Sequence, residues 1–140
     1  MNNNALNLIE LSQNKSDVGN LIEINDLISN FNIKRIYYIT HVKRFTIRGH
    51  HAHKELLQII WCPYGSIEIL LDDGVDKVIY ILDSPEKAIK IGPGIWREMK
   101  WLQSDSVLCV AASDYYNEDD YVRDYQKFLQ MVNEGYWNEK

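Results

Sequence analysis

Three of the four histidines lie in one string, Gly49-His50-His51-Ala52-His53. His51 and His53 are two residues apart. On a strand they project from one face with Cα atoms ~6.5 Å apart, while His50 and Ala52 face the other way. Two imidazoles placed side by side can ligate a metal or move protons near neutral pH. A surface strand carrying two solvated histidines is the plain alternative. What surrounds the string decides between them.

The elements that must position this pair read as short strands. Apolar or alternating runs fall at 6–11, 20–24, 33–42, 45–53, 56–62, 67–71, 78–82, 88–91 and 107–112. Asn14-Lys15-Ser16-Asp17, Pro63-Tyr64-Gly65-Ser66 and Asp83-Ser84-Pro85 read as turns. Asp72-Asp73-Gly74-Val75 sits between two apolar runs, which is a strong hairpin signal. Many short strands at regular spacing predict a sandwich or barrel. The period then changes. Tyr121, Val122, Tyr125, Phe128, Leu129 and Val132 form one apolar stripe. They predict a C-terminal helix over about 118–133, capped by Asn117 and opened by Glu118-Asp119-Asp120.

The chain's 140 residues suit one domain, read here as 1–140. Fifteen Lys+Arg against twenty Asp+Glu give a formal net charge of −5. With no basic run, nucleic acid and anionic membrane are not expected partners. No apolar stretch has the length of a membrane span. The polar N-terminus lacks the features of a signal peptide. Cys62 and Cys109 lie in apolar runs and read as two buried, reduced thiols. A cytoplasmic location is the expectation.

After His53 come Gln58 and Gly65, and later Gly92-Pro93-Gly94-Ile95-Trp96-Arg97. The spacing resembles the two cupin motifs. In metal-binding cupins these supply two His, a Glu and a third His. The matching positions here are His51, His53, Gln58 and Arg97. Gln is a weak neutral ligand, and Arg cannot ligate. No catalytic metal and no cofactor are expected.

More segments join the resemblance. They are Arg35-Ile36-Tyr37-Tyr38-Ile39, Arg48-Gly49-His50-His51-Ala52-His53-Lys54, Asp83-Ser84-Pro85, Gly92 to Met99, Ala112-Ser113-Asp114-Tyr115-Tyr116 and Glu118 to Tyr125. Together, over about residues 6–130, they resemble the dTDP-sugar 3,4-ketoisomerases, small cupins of deoxysugar biosynthesis. One departure is Val18, where members of that family often carry an Arg before the glycine. The resemblance implies an all-β cupin (jelly-roll) barrel with a C-terminal α-helix. It implies an isomerase moving the keto group of dTDP-4-keto-6-deoxy-D-glucose from C-4 to C-3, on the way to deoxyaminosugars and surface glycans. It also implies a homodimer that exchanges N-terminal strands, here about 6–24.

Such a reaction removes the C-3 proton, passes through an enediol and protonates C-4. Neutral imidazole suits these steps, so His51 and His53 are the candidates, with either able to take the carbon-bound proton. Tyr37 can hydrogen-bond the enediolate or act as a weak acid. Arg48 and Arg97 fit diphosphate oxygens, with Arg35, Lys43 and Lys54 as further cations. Gln58 can touch the sugar or close a polar network. Trp96 can stack on thymine or pack the core. Glu98 can orient a histidine. Asp114, Tyr115 and Tyr116 read as a structural corner. A nucleotide-sugar 3,5-epimerase and a non-catalytic sugar-binding cupin are the alternatives.

Overall fold

The structure is a computed structural model that describes residues 5–138. Its strands are β1 (Leu6–Glu10), β2 (Gln13–Ser16), β3 (Gly19–Ile22), β4 (Arg35–Ile39), β5 (Ile47–His53) and β6 (Gln58–Tyr64). They continue as β7 (Ile67–Asp72), β8 (Lys77–Leu82), β9 (Lys87–Ile91), β10 (Trp96–Trp101), β11 (Val107–Ala112) and β12 (Tyr121–Val122). Two helices are present, α1 (Asp26–Ser29) and α2 (Tyr125–Asn133).

One sheet runs β1-β9-β6-β11-β4 and the other β12-β5-β10-β7-β8, and every pairing is antiparallel. Strands β2 and β3 form a separate hairpin. The two large sheets face each other across one core. Ile60, Cys62, Ile89, Ile91 and Val110 come from the first sheet, and Ile67, Ile69, Leu71, Met99 and Trp101 from the second. The fold is the expected cupin-type jelly roll.

Several strands read as unbroken apolar runs because both their faces are covered. Ile60 and Cys62 face the main core. Their neighbours Ile59 and Trp61 pack instead with Ile22, Ile28 and Phe31 from the hairpin and the α1 region. On the opposite outer face, Phe128 and Met131 of α2 cover Ala52 and Trp96.

Some boundaries differ from expectation. The first turn lies at Asp17 and Val18, because residues 14–16 join a strand. Pro63 and Tyr64 end β6, so only Gly65 and Ser66 turn the chain. β10 was not among the expected strands. Its Gly-Pro-Gly approach and charged interior, Arg97, Glu98 and Lys100, conceal the pleat. The helix expected from 118 begins at Tyr125, capped by Asp124. Asn117 caps only a single 3₁₀ turn, Glu118–Asp120. Cys62 is buried, whereas Cys109 is only half-buried, and both are free thiols.

Candidate active site

A cavity of about 300 Å³ opens between the two sheets. Tyr37, Arg48, His51, Gln58 and Arg97 line it, together with Arg35, Tyr116, Tyr121 and Arg123. A bulge in β5 makes this grouping possible. Arg97 pairs with His51, but Met99 pairs with Arg48, so one extra residue sits in β5 between the two pairs. Gly49 and His50 take up the slack with φ of +96° and +55°. A bulge resets the two-residue alternation of a strand. Arg48 and His51, three apart, therefore both reach the cavity.

Gly49 also seats His51. The His51 Nδ1 lies 3.1 Å from the Gly49 carbonyl oxygen, an acceptor, so Nδ1 carries the proton. Its Nε2 keeps the lone pair. Burial, reinforced by the Arg97 charge, pushes the His51 pKa down to about 3. The ring is thus a neutral base at physiological pH.

His53 projects on the same side, its ring 4.9 Å from that of His51 and nearly perpendicular to it. It is fully buried and lies behind the cavity wall rather than on it. It borders a second cavity of about 210 Å³ with Glu55, Ser113, Asn117 and Asp120. Burial lowers its pKa to about 4, against the opposing pull of Asp120.

A polar relay crosses the floor. Arg97, 2% exposed, donates from Nη1 to Gln58 Oε1 and from Nη2 to the Ile95 carbonyl. Arg can only donate, so the Gln58 oxygen must face it and the Gln58 amide nitrogen must face away. That nitrogen donates to the Tyr37 hydroxyl at 3.1 Å. Tyr37 therefore accepts one bond and has its own proton free for a ligand. Burial raises the Tyr37 pKa, which keeps it a donor. Burial brings Arg97 down to about 10, so it remains a cation.

The other expected residues lie elsewhere. Trp96 is under α2, where its indole meets Tyr125 and Phe128 and donates to Glu98 Oε2. Of the two readings of Trp96, packing is what the structure shows; its place in β10 points it away from the cavity lined by its neighbour Arg97. Lys54 follows His53 and does not line the cavity. Its main chain bridges the Asp120 carbonyl and the Trp137 indole. Glu98 lies 3.7 Å from His50, not beside the buried pair. Lys43 is exposed and lines neither cavity. Among the described residues no three His, Cys, Asp or Glu side chains converge as a metal cage.

Four residues were missed as candidates. The sequence pattern puts Asp120 and Tyr121 in the first turns of a helix, Arg123 within the segment Glu118 to Tyr125, and Tyr116 in a corner. Asp120 accepts from His53 Nδ1 at 2.9 Å. The Tyr121 ring lies 4.9 Å from His51 and 4.4 Å from His53. Arg123 lies over Tyr121 and is held by a fork to Glu118, which also accepts from the Tyr116 hydroxyl. The signal available was the run of acids before Tyr121, which a helix needs less than a buried imidazole does.

A cupin sandwich holding a neutral histidine base against a buried arginine and a tyrosine donor defines a class, the sugar-nucleotide isomerases. Residues 4–133 match the family described as "FdtA: WxcM-like, C-terminal", and the chain belongs to it. The TDP-4-oxo-6-deoxy-α-D-glucose-3,4-oxoisomerase of Aneurinibacillus thermoaerophilus is 46% identical over 102 residues, 73% of each chain. A 3,4-ketoisomerase from Helicobacter canadensis superposes with a TM-score of 0.88 at 43% identity, over 91% of this chain and 97% of that one. A His-to-Asn variant of the 3,4-ketoisomerase from Thermoanaerobacterium thermosaccharolyticum was crystallised with TDP-4-keto-6-deoxyglucose. It gives a TM-score of 0.89 at 36% identity, over 93% and 95% of the two chains. The chain is a ketoisomerase-family enzyme.

Proposed function

We propose that this chain converts TDP-4-keto-6-deoxy-D-glucose to the 3-keto isomer through an enediol. The observation that carries this reading is the cavity itself. The free Nε2 of a neutral His51 and the free hydroxyl proton of Tyr37 face one space, above the buried charge of Arg97.

His51 removes the C-3 proton through Nε2. The electron pair of that C–H bond becomes the C-3/C-4 double bond, and the C-4 carbonyl oxygen takes the negative charge. Arg97 stabilises that charge by its field, and Tyr37 by donating a hydrogen bond. A proton passes from O-3 to O-4, which moves the charge to O-3. As O-3 collapses to the C-3 ketone, the electron pair of the double bond takes up a proton at C-4 from the protonated His51 or from water. No electron enters or leaves, so the residues need to move only protons. Arg48, Arg35 and Arg123 at the rim suit the diphosphate.

We take residues 1–140 as one cupin unit acting as a homodimer in the cytoplasm. The β2–β3 hairpin supports the dimer, since among the described residues its strands pair only with each other, and it exposes Val18 and Leu21. Exchange of residues 6–24 with a partner would cover that surface. The product ketone is a substrate for amination, which places the enzyme before a deoxyaminosugar.

The test is an NMR time course in D₂O with TDP-4-keto-6-deoxyglucose. A new 3-keto signal with deuterium at C-4 and none at C-5 is expected. Exchange at C-5 would instead identify a 3,5-epimerase, and binding without exchange a carrier module.

A further inference from the structure

We propose that Asp120 is the positioning residue of this enzyme: its carboxylate fixes His53 with the proton on Nδ1, leaving Nε2 as that ring's only open proton site. The inference rests on the ketoisomerase reading above and adds a residue to it.

A neutral imidazole carries one N–H, and its partner chooses which nitrogen holds it. Asp120 Oδ2 lies 2.9 Å from His53 Nδ1. A carboxylate can only accept, so Nδ1 must donate. The carboxylate is itself immobilised. Its Oδ1 accepts from the Glu55 N–H at 2.8 Å and its Oδ2 from the Leu56 N–H at 3.3 Å. Burial raises its pKa, but these three donors outweigh burial and keep it ionised.

The backbone is tied as well. The Lys54 N–H donates to the Asp120 carbonyl, and Tyr121 pairs with His53 in the sheet. Asp120 and His53 cannot separate without undoing β12. His53 Nε2 is buried and has no partner. An unpartnered buried nitrogen is costly, and such groups cluster where function uses them.

The two rings are thus set alike by different means. His51 Nδ1 leans on a neutral carbonyl, and His53 Nδ1 on a charge. When the sugar's C-3 proton reaches His51, 4.9 Å ring to ring from His53, the Asp120 charge behind His53 offsets the imidazolium charge until the pair is neutral again.

Asp120→Asn tests this sharply. Both Asp120 oxygens face donors, so the amide NH₂ of an asparagine must meet one of them. Turned toward His53, it drives that ring to the Nε2–H form. Long-range ¹H–¹⁵N NMR of the histidine-labelled full chain reads the tautomer directly. Expected are Nδ1–H at His53 in the wild type, its loss in D120N, and a kcat lowered about 10²-fold or more with TDP affinity within about twofold. A wild-type Nε2–H tautomer overturns the proposal even if D120N fails to fold. So does a D120N kcat within about threefold of wild type, or a parallel loss of kcat and TDP affinity. If the wild type does not turn over the keto sugar, the functional reading falls, and the wild-type tautomer still decides the role of Asp120.

Discussion

Strand β5 holds its histidines on backbone ladders, His51 to β10 and His53 to β12, whereas the 114–120 segment beside them is held largely by side chains. Asp114, Asn117 and Asp120 each accept from main-chain N–H groups, and Glu118 clasps Arg123. In the proposed mechanism the sheet carries the groups that do chemistry. The irregular segment carries Asp120, the group proposed to set the protonation state of His53. A ladder fixes where a side chain starts, but not which of its nitrogens is protonated. That choice needs a charge, and an irregular loop brings one where a strand's own neighbours cannot.

The largest effect should come from the sheet side. His51→Asn is expected to lower kcat by about 10²–10⁴-fold, because it deletes the base. TDP affinity, measured by calorimetry, should stay near wild type, since the rim arginines are untouched. A matching loss of affinity would show that the two walls are not separable.

Gly49→Ala should damage the ladder itself. The new Cβ would lie 2.9 Å from the Arg97 carbonyl oxygen and 2.9 Å from Met99 Cε, at a φ of +96°. A cost of about 1–3 kcal/mol is expected, read as a lower midpoint in chemical denaturation. An unchanged midpoint would mean that the bulge is not under constraint.

Acid should expose the shared burial of the pair. Both rings are neutral when folded, with pKa values of about 3 and about 4, while unfolded histidine titrates near ~6.5. Between those values the unfolded chain binds more protons, so stability falls as pH drops below ~6.5 and levels off only below both folded values. His51→Asn should flatten this slope in thermal melts across that range. An equal slope in both proteins would remove His51 from the account.

The smallest effect should come from the exposed clasp. Glu118→Gln loosens Arg123 at the rim, and an exposed ion pair contributes little. A shift in melting temperature below about 2 °C and a KM change below about threefold are expected. A larger KM change would promote Arg123 to a main phosphate contact.

How much was legible follows the same division. The His51/His53 pair, the Asp73-Gly74 hairpin and the apolar strands were readable because period and turn chemistry are local. Tyr37, Gln58 and Arg97 were readable as candidates, but not as one relay, which joins three strands distant in sequence. Asp120 and Tyr121 were hidden because acids followed by an apolar stripe match a helix start. Tertiary demand from His53 overrode that local preference. Trp96 was ambiguous because β10 is covered on both faces, by the core and by α2.

The bulge at Gly49 and His50 stores the phase of the strand in a single residue. Straighten the bulge with every residue kept, so that His50 pairs with Glu98, and β5 would run in strict step with β10. Everything on its N-terminal side would then turn inside out, with Arg48 rotated away from the cavity and Ile47 toward it. A chain one residue shorter here would need no bulge, because Arg48 and His51 would then stand two apart on one face.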